Sequence, residues 1–318
     1  MKSYAITLND VQAAAKRIAP WIHRTPIMTC ATLDHLAGRK LFFKCEQWQK
    51  VGAFKFRGAS NAVLKLSETE ARRGVVTHSS GNHAQALALA AKLRGITAHI
   101  VMPRSASPVK RRAVEGYGAN VIECEPTLAA RETKVAEVQE KTGAVLIPPY
   151  NHADVMAGQG TAAMEMLQDN PALDAIVAPI GGGGLMTGVA IAARALKPTC
   201  RLFAAEPLGA DDAARSKALG DMVPQTNPQT IADGLLTSMG DLTWPIVRDL
   251  VEAVVTVRED EIVQAMRLMW ERAKLLIEPS SAVAVAAVLT PGFKELQNLP
   301  NVGVILSGGN ANLDRLPW

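Results

Sequence analysis

The stretch GVVTHSSGNHAQALALAAKLRG, residues 74–95, decides the fold class of this chain. It begins with a short β-branched run, passes through a polar loop, and ends in an Ala- and Leu-rich segment typical of a helix. Strands that lie parallel need a crossover connection, and a helix of about a dozen residues is the usual one. The stretch therefore predicts one βα unit of an α/β fold.

The same alternation of strand and helix continues along most of the chain. Strand patterns recur at 97–102, 120–124, 144–148, 174–180, 200–206 and 301–307. Helical patterns begin near Asp10 and recur at 107–118, 128–143, from Asp154, at 181–196, from Gly209, at 259–275 and at 279–290. This rhythm predicts two mostly parallel twisted sheets, each flanked by helices.

The βα units fall into two groups, which predicts two domains. Residues 71–151 hold four small units that can form one compact domain. We predict that this small domain is inserted into a larger one made of residues 1–70 and 152–318. The cleft between them should carry the site, because ligands of open α/β sheets bind at the carboxyl ends of the strands.

Composition excludes several classes of protein. The 318 residues are 48% hydrophobic and 20% charged, with a net charge of +4 that is spread along the chain and only 4% aromatic residues. A nucleic-acid site is disfavoured, because it needs clustered basic and aromatic side chains. No apolar run is long enough to span a membrane and no signal segment is visible, so we predict a cytoplasmic protein. Four scattered cysteines, without a C-x-x-C pair, disfavour a zinc cluster or a redox dithiol.

Four loops lie where the predicted strands end, and they are the candidates for binding. They are SSGNH at 79–83, GGGG at 181–184, EPLGADD at 206–212 and SGGN at 307–310. The tetraglycine follows a strand and precedes a helix, so its amides can surround a phosphate. It matches neither the dinucleotide nor the P-loop pattern, and a merely flexible loop is the alternative. For SSGNH the alternative is a simple helix N-cap.

Lys55 is the candidate for chemistry, because these loops offer no metal triad and no hydrolase triad. It lies in GAFKFRG, residues 52–58, between two phenylalanines. A desolvated amine has a lowered pKa, and its neutral form can bond to an aldehyde. The alternative is a lysine whose stem packs at the start of an amphipathic helix while its amine reaches solvent.

Together these segments resemble one family closely, the fold-type II pyridoxal-phosphate enzymes of the serine racemase and threonine/serine dehydratase group. The resemblance covers essentially the whole chain and is carried, in family order, by KCEQWQKVGAFKFRGASNAV, THSSGNHAQALALAAKLRGI, AGQGT, PIGGGGLMTG, AAEPLGADDA, IADG, LLIEPSSAV and LSGGN. It implies a two-domain α/β fold like that of the tryptophan synthase β chain, in which the larger domain binds the cofactor. It also implies a homodimer.

The resemblance implies a set of residues that hold pyridoxal 5'-phosphate. Lys55 is then the lysine that bonds to the cofactor aldehyde, and a Ser307 hydroxyl faces the pyridine nitrogen. A neutral hydroxyl at that position favours β-elimination over transamination. Glu278 matches a glutamate near the cofactor, although a paired structural role is an equal alternative. The other implied contacts are Phe54 against the ring, Asn82 on the ring hydroxyl, and Gly181, Gly182, Gly183, Gly184 and the amide of Leu185 on the phosphate.

The resemblance also implies the substrate contacts. The substrate carboxylate would be held by Ser79, Ser80, Gly81, Asn82 and His83. Ser80 matches a serine that, in racemases of this group, exchanges a proton on the face opposite the lysine. Arg131 matches an arginine of the racemase pocket, with a surface arginine as the alternative, and Tyr150 replaces a substrate-facing Asn of the racemase pattern.

A divalent-cation site is implied by the block at 204–213. Glu206, the carbonyl of Ala210 and Asp212 match a metal site of the racemase-like branch, and such oxygen ligands suit magnesium, calcium or manganese. The alternative is that these carboxylates only cap a helix.

The implied activity is dehydration of a β-hydroxy-α-amino acid, with a small amino acid as the substrate and neither nucleic acid nor membrane as a partner. Three departures from the racemase pattern, at Ala53, Tyr150 and the pair Leu236–Thr237, favour a dehydratase over a racemase. The segments PYN, ADGLL and LDRLPW resemble bacterial dehydratases of 3-hydroxyaspartate. Amino-acid racemisation, phenylserine dehydration and a nucleotide-binding α/β protein without pyridoxal phosphate remain the alternatives.

Overall fold

Two sheets with mostly parallel strands form the frame of the protein, as expected. The computed structural model describes residues 4–106 and 108–318. In chain order the strands of this described part are β1 Ile27–Met28, β2 Lys40–Cys45, β3 Val75–His78, β4 Ala98–Pro103, β5 Asn120–Cys124, β6 Val145–Leu146, β7 Ala175–Pro179, β8 Arg201–Pro207, β9 Ala253–Val257 and β10 Asn301–Leu306.

The larger sheet has the order β1-β2-β10-β7-β8-β9 and the smaller one β5-β4-β3-β6. The pair β1 and β2 is antiparallel, and the other neighbouring pairs in the described sheets are parallel. In the register of the larger sheet, Leu306 lies beside Cys45 and Pro179 beside Ala205. The loops that follow β2, β10 and β7 therefore leave the sheet at the same edge.

Helices connect the strands and cover the sheets. They are α1 Leu8–Ile18, α2 Ala31–Ala37, α3 Lys55–Lys65, α4 Glu68–Arg72, α5 Asn82–Arg94, α6 Pro108–Gly116, α7 Leu128–Thr142, α8 Ala153–Asp169, α9 Gly184–Leu196, α10 Asp212–Leu219, α11 Trp244–Leu250, α12 Glu259–Leu268, α13 Pro279–Leu289 and α14 Pro291–Lys294. The helix predicted at 259–275 differs in part, because residues Met269–Ala273 form a π-helix after α12. No helix of the described residues is long and apolar enough to cross a membrane.

Helices bury both faces of the larger sheet, which explains its apolar strands. On one face, side chains of β2 and β10 such as Phe43 and Val304 pack in one core with α13. On the other face, Ile176 and Ile305 pack in a second core with residues of α8 and α9. The sheet is therefore a rigid platform for the loops at its carboxyl edge.

A buried ion-pair cluster attaches α3 to this platform. Arg57 is fully buried, and its guanidinium donates to Glu46 at 2.7 Å and to Glu165 on α8 at 2.8 Å. Lys44 on β2 also donates to Glu165, at 2.7 Å. Two cations and two carboxylates thus balance inside the protein, which buried charges require. Because Arg57 lies two residues after Lys55, the cluster fixes the start of α3.

The predicted domain boundaries at residues 71–151 stay a prediction. The four strands of the smaller sheet, Val75 to Leu146, lie within that range.

Candidate active site

The loop before α3 and the loop after β10 are joined through their backbones. Phe54 N–H donates to the carbonyl of Ser307 at 3.0 Å, and Gly309 N–H donates to the carbonyl of Gly52 at 2.9 Å. Between these bonds, Ala53 forms an isolated bridge with Gly308. The structure thus brings together two of the segments that the sequence indicated, GAFKFRG and SGGN.

Lys55 is the first residue of α3 and is largely buried beside this junction. Its Nζ donates to the carbonyl of Pro149 at 2.8 Å and lies 5.1 Å from the centre of the Phe54 ring. Burial lowers the pKa of Lys55 to about 8, although the charge of Glu278 acts in the opposite direction. The amine therefore has an appreciable neutral fraction near neutral pH, and the neutral form is the nucleophile and the base.

The tetraglycine loop links β7 to α9 in a space that only glycine fits. A Cβ atom on Gly182 would lie 2.4 Å from the Tyr150 ring, and one on Gly183 would lie 2.8 Å from Thr243. Gly183 also has a φ of 86° and is the N-cap of α9. Thr243 Oγ1 donates to the carbonyl of Gly182 at 2.9 Å, and this hydrogen bond helps to fix the loop.

The backbone N–H groups of this loop are available to an anion. Among the residues that the structure describes, none accepts a hydrogen bond from the N–H groups of residues 181–185. Some of these groups belong to the first turn of α9, whose donors have no acceptor within the helix. A run of free amides at a helix N-terminus is suited to a phosphate.

The SSGNH loop links β3 to α5 and supplies a second set of backbone donors. Gly81 is the N-cap of α5, and its N–H donates to the Ser79 hydroxyl at 3.3 Å. In the described part of the chain no hydrogen bond fixes the Ser80 hydroxyl. The loop lies near Lys55, because His83, its last residue, and Lys55 contact carbonyls only two residues apart, those of Ile147 and Pro149.

The His83 imidazole is buried and bonds to the backbone. Its Nε2 lies 2.9 Å from the carbonyl of Ile147, two residues before the carbonyl that accepts from Lys55. Because a carbonyl only accepts, Nε2 carries the proton and Nδ1 is bare. Burial and, second to it, the Lys55 charge lower the pKa of His83 to about 3. The His83 ring is therefore neutral, with its N–H donor already engaged.

Asn82, Glu278 and Asn310 form a hydrogen-bond network between the SSGNH and SGGN loops. Asn82 Nδ2 donates to Glu278 Oε1 at 2.8 Å, and Asn310 N–H donates to Glu278 Oε2 at 3.1 Å. Burial raises the pKa of Glu278 to about 7. The sequence did not single out Asn310, although it is the last residue of SGGN, because an exposed Asn in a loop resembles an ordinary turn residue.

Tyr150 and Arg131 border the same region. The Tyr150 ring packs on Gly182; burial raises the pKa of its hydroxyl, and a hydrogen bond with Thr237 acts in the opposite direction. Arg131, on α7, lies close enough to His78 that its charge adds to burial in lowering the pKa of that imidazole. The Nε of Arg131 is buried and has no partner among the described residues. A guanidinium nitrogen without an acceptor thus lies near the residue that precedes Ser79.

The predicted cation ligands lie together at the end of β8. Glu206 is fully buried and accepts from the N–H groups of Ala213 and Ala214, at 3.1 and 2.9 Å. Asp212 accepts from Met239 N–H at 3.0 Å, while its Oδ1 has no partner among the described residues. Burial raises the pKa of both carboxyl groups, and the charge of Asp212 raises that of Glu206 further.

Ala210 is buried beside these two carboxylates, in the turn that leads from β8 to α10. No cluster of three or more His, Cys, Asp or Glu side chains that could hold a metal occurs in the described residues. The predicted set, with two carboxylates and one carbonyl, lies below that number. Two buried carboxylates with a free oxygen nevertheless have the chemistry of a site for a hard cation.

Comparison with known proteins shows the family to which the chain belongs. The family described as pyridoxal-phosphate dependent enzyme matches residues 18–308. The chain is 52% identical to the serine racemase of Arabidopsis thaliana, over 99% of this chain and 96% of that protein. It is 48% identical to the beta-hydroxyaspartate dehydratase of Paracoccus denitrificans (strain Pd 1222), over 99% of both. The structure of maize serine racemase superposes with a TM-score of 0.97 at 50% identity, covering 98% of this chain and 95% of that one.

Proposed function

This chain belongs to the pyridoxal-phosphate dependent enzymes, and we propose that it is an ammonia-lyase that removes water from a β-hydroxy-α-amino acid to give an oxo acid and ammonia. The observation that carries the proposal is the partly neutral amine of Lys55 beside a loop of free backbone amides. The amine supplies a group that can bond to an aldehyde, and the free amides supply a site that can hold a phosphate.

The residues present fit pyridoxal phosphate. Lys55 would bond to its aldehyde, the amides of residues 181–185 would hold its phosphate, and Phe54 would flank its ring. Asn82 and the Ser307 hydroxyl would bind the ring oxygen and the ring nitrogen. When bound, the cofactor supplies an electron sink that makes the α-proton of an amino acid acidic.

Lys55 can account for the proton transfers of the elimination. With its Nζ free, it would accept the α-proton on one face of the bound amino acid, and the proton it takes up would be available to the departing β-hydroxyl, which leaves as water. The Pro149 carbonyl, 2.8 Å from Nζ, would hold the intervening ammonium. Backbone donors of residues 79–83 would hold the α-carboxylate in the orientation that proton transfer needs.

A dicarboxylic substrate of the 3-hydroxyaspartate type is favoured by Arg131. Its buried Nε has no acceptor among the described residues, and a guanidinium binds a carboxylate strongly. Tyr150, which replaces a smaller polar residue of the racemase pattern, packs its ring against Gly182. The likeness to a beta-hydroxyaspartate dehydratase supports the same substrate class.

Serine racemisation is the second candidate. It is favoured by the 52% identity to a serine racemase and by Ser80, whose hydroxyl would exchange a proton on the face opposite Lys55. Racemisation needs proton access on both faces of the α-carbon, whereas elimination needs only one.

The proposal also includes a structural cation and an oligomeric state. Glu206, Asp212 and the Ala210 carbonyl would bind magnesium, calcium or manganese. We further propose a cytoplasmic homodimer. The cation would stabilise the fold and take no part in proton transfer.

The decisive experiment is spectroscopic and then chemical. Purified protein reconstituted with pyridoxal phosphate should absorb in the visible, lose that band on borohydride reduction, and carry the label on Lys55. The reconstituted protein is then incubated with L-serine, D-serine, L-threonine, both 3-hydroxyaspartate diastereomers and phenylserine, while oxo acid and chirality are measured. A colourless protein would favour the nucleotide-binding alternative and refute the proposal.

A further inference from the structure

Asn310 lies at the centre of the network around Asn82 and contacts three separate segments. Its Nδ2 donates to the carbonyl of Val51 at 2.8 Å and to Asn82 Oδ1 at 2.8 Å. Its backbone N–H donates to Glu278 at 3.1 Å. One side chain therefore joins the turn before Lys55, the start of α5 and the loop after β10.

The Val51 carbonyl decides which way the Asn310 carboxamide faces, and Asn310 and Glu278 together decide which way the Asn82 carboxamide faces. A carbonyl oxygen only accepts, so Asn310 must direct its NH₂ group toward Val51. The two hydrogens of that group then serve Val51 and Asn82, which places Asn82 Oδ1 toward Asn310. Asn82 Nδ2 consequently faces Glu278, to which it donates at 2.8 Å. The orientation of Asn82 is thus fixed from two sides, by Glu278 directly and by the Val51 carbonyl through Asn310.

The turn that presents this carbonyl is strained and closely packed. Val51 has φ 58° and ψ 13°, a left-handed conformation that is a rare outlier for a β-branched residue. Gly52 follows with φ 70°, and a Cβ atom there would lie 2.8 Å from Asn310 Oδ1. Strained backbone of this kind persists where its surroundings hold it, and such sites are often functional. The hydrogen bond from Asn310 is one of the contacts that hold it.

We propose that Asn310 is a positioning residue that makes Asn82 present an N–H donor, and not its carbonyl, to the ring oxygen of pyridoxal phosphate. This rests on the proposed function, because it concerns the same cofactor. Of the two N–H donors of Asn82, Glu278 takes one, and the other serves the ring oxygen. A fixed donor stabilises the ionised form of that oxygen, since a hydrogen bond to a charged group favours the charged form.

The test uses two substitutions at this residue in full-length protein reconstituted with pyridoxal phosphate. Asn310→Ala removes the link between Asn82 and Val51 and leaves Asn82 oriented by its hydrogen bond to Glu278 without the second one. Asn310→Asp offers only acceptors, so Asn82 must rotate to donate to it and would then present its own carbonyl to the cofactor. We measure the dissociation constant of pyridoxal phosphate, the position of the visible band and the pH midpoint of that band.

We expect Asn310→Ala to weaken cofactor binding about tenfold, as the loss of hydrogen bonds to a charged group predicts. For Asn310→Asp we expect the pH midpoint to rise by about one unit, because a donor is replaced by an acceptor. Asn312→Asp is the matched control: it adds the same charge to the same exposed segment, and the Asn312 side-chain oxygen, which accepts from Asp314 N–H at 3.1 Å, is kept by Asp. The control should keep the wild-type affinity and midpoint.

Three other outcomes separate the two proposals. If the wild type is coloured and labelled at Lys55 while both Asn310 variants keep its affinity, band and midpoint, the positioning role is refuted and the cofactor assignment stands. The role is refuted equally if Asn310→Ala lowers the thermal midpoint of unfolding but leaves the spectrum unchanged. If the wild type is colourless, it is the proposed function that fails.

Discussion

Lys55 becomes reactive through its surroundings and not through its own chemistry. An exposed lysine is protonated at neutral pH, whereas here burial against Phe54 lowers the pKa to about 8. The Pro149 carbonyl is a neutral acceptor, so it directs the amine without restoring the full stability of its charge. The same residue that takes part in chemistry is therefore a source of instability in the cofactor-free protein.

Lys55→Met should stabilise the cofactor-free protein at pH 7, by roughly 1–2 kcal/mol once solvent screening of a partly exposed group is allowed for. The folded pKa lies below the unfolded one, so between about pH 8 and 10.5 the unfolded chain binds more protons. The contribution of Lys55 to wild-type stability should therefore rise with pH through this window, so the stability difference between wild type and variant should shrink as pH rises. Urea unfolding at a series of pH values measures it. Lys40→Met, at an exposed lysine, is the control, and equal slopes for wild type and Lys55→Met would contradict the prediction.

Ser80→Ala should separate the two candidate activities. Without the hydroxyl, no proton reaches the face opposite Lys55, so racemisation of serine should fall at least about 100-fold. Elimination from the L-isomer uses Lys55 alone and should stay within a few-fold of the wild type. Chiral chromatography and oxo-acid release measure the two rates. The exposed Ser105→Ala serves as the control, and an equal loss of both activities would show that Ser80 has no face-specific role.

At the scale of elements, the proposed phosphate cradle is made by one strand-loop-helix unit. The loop 181–184 must approach Tyr150 and Thr243 so closely that no side chain fits. The helix α9 then directs its first free amides and the positive end of its dipole toward the same point. Neither the glycines nor the helix would form the cradle alone.

Gly182→Ala should therefore weaken binding of pyridoxal phosphate by tenfold or more. The new methyl group would lie 2.4 Å from the Tyr150 ring, so either the ring or the loop must move. Equilibrium titration of the visible band measures the affinity. Gly292→Ala is the matched control, because a Cβ there meets no atom within 4 Å. Wild-type affinity in Gly182→Ala would show that the loop does not bind the phosphate.

The sequence predicted the βα units correctly because buried parallel strands and their helices leave strong apolar patterns. It did not predict β2, where Lys44 interrupts the apolar run although its side chain is fully buried in an ion pair with Glu165. It also continued α12 through the π-helix Met269–Ala273, because one wider turn hardly alters the apolar periodicity. Asn310 was missed for a third reason: its importance lies in contacts with residues more than 200 positions away.

At the scale of the whole molecule, the parallel register gathers distant segments at one edge. The ends of β2, β7 and β10 meet there, and the segment after β6 reaches Lys55 through Pro149. Sequence patterns predicted which loops follow strands, and the rule for open α/β sheets predicted that they share an edge. The side-chain contacts between the loops depend on exact packing, which a pattern cannot specify.

At the carboxylate pair at the end of β8, the proposed cation site predicts that stability depends on a cation and on pH together. Because the folded pKa of both Glu206 and Asp212 is raised, the native state holds more protons than the unfolded chain. Without a cation, stability should fall as pH rises above the ordinary carboxyl range. A bound divalent cation replaces the proton and removes this loss.

Magnesium should therefore raise the thermal midpoint of EDTA-treated protein by roughly 5 °C at pH 8, and by less at pH 6, where part of the pair is protonated. The variant combining Glu206→Gln and Asp212→Asn should lose both the magnesium effect and its pH dependence, because a neutral pair needs no counter-charge. Glu295→Gln, at an exposed carboxylate, is the control that should keep both. Differential scanning calorimetry with and without magnesium measures the shift, and a magnesium effect that survives in the double variant would place the cation elsewhere.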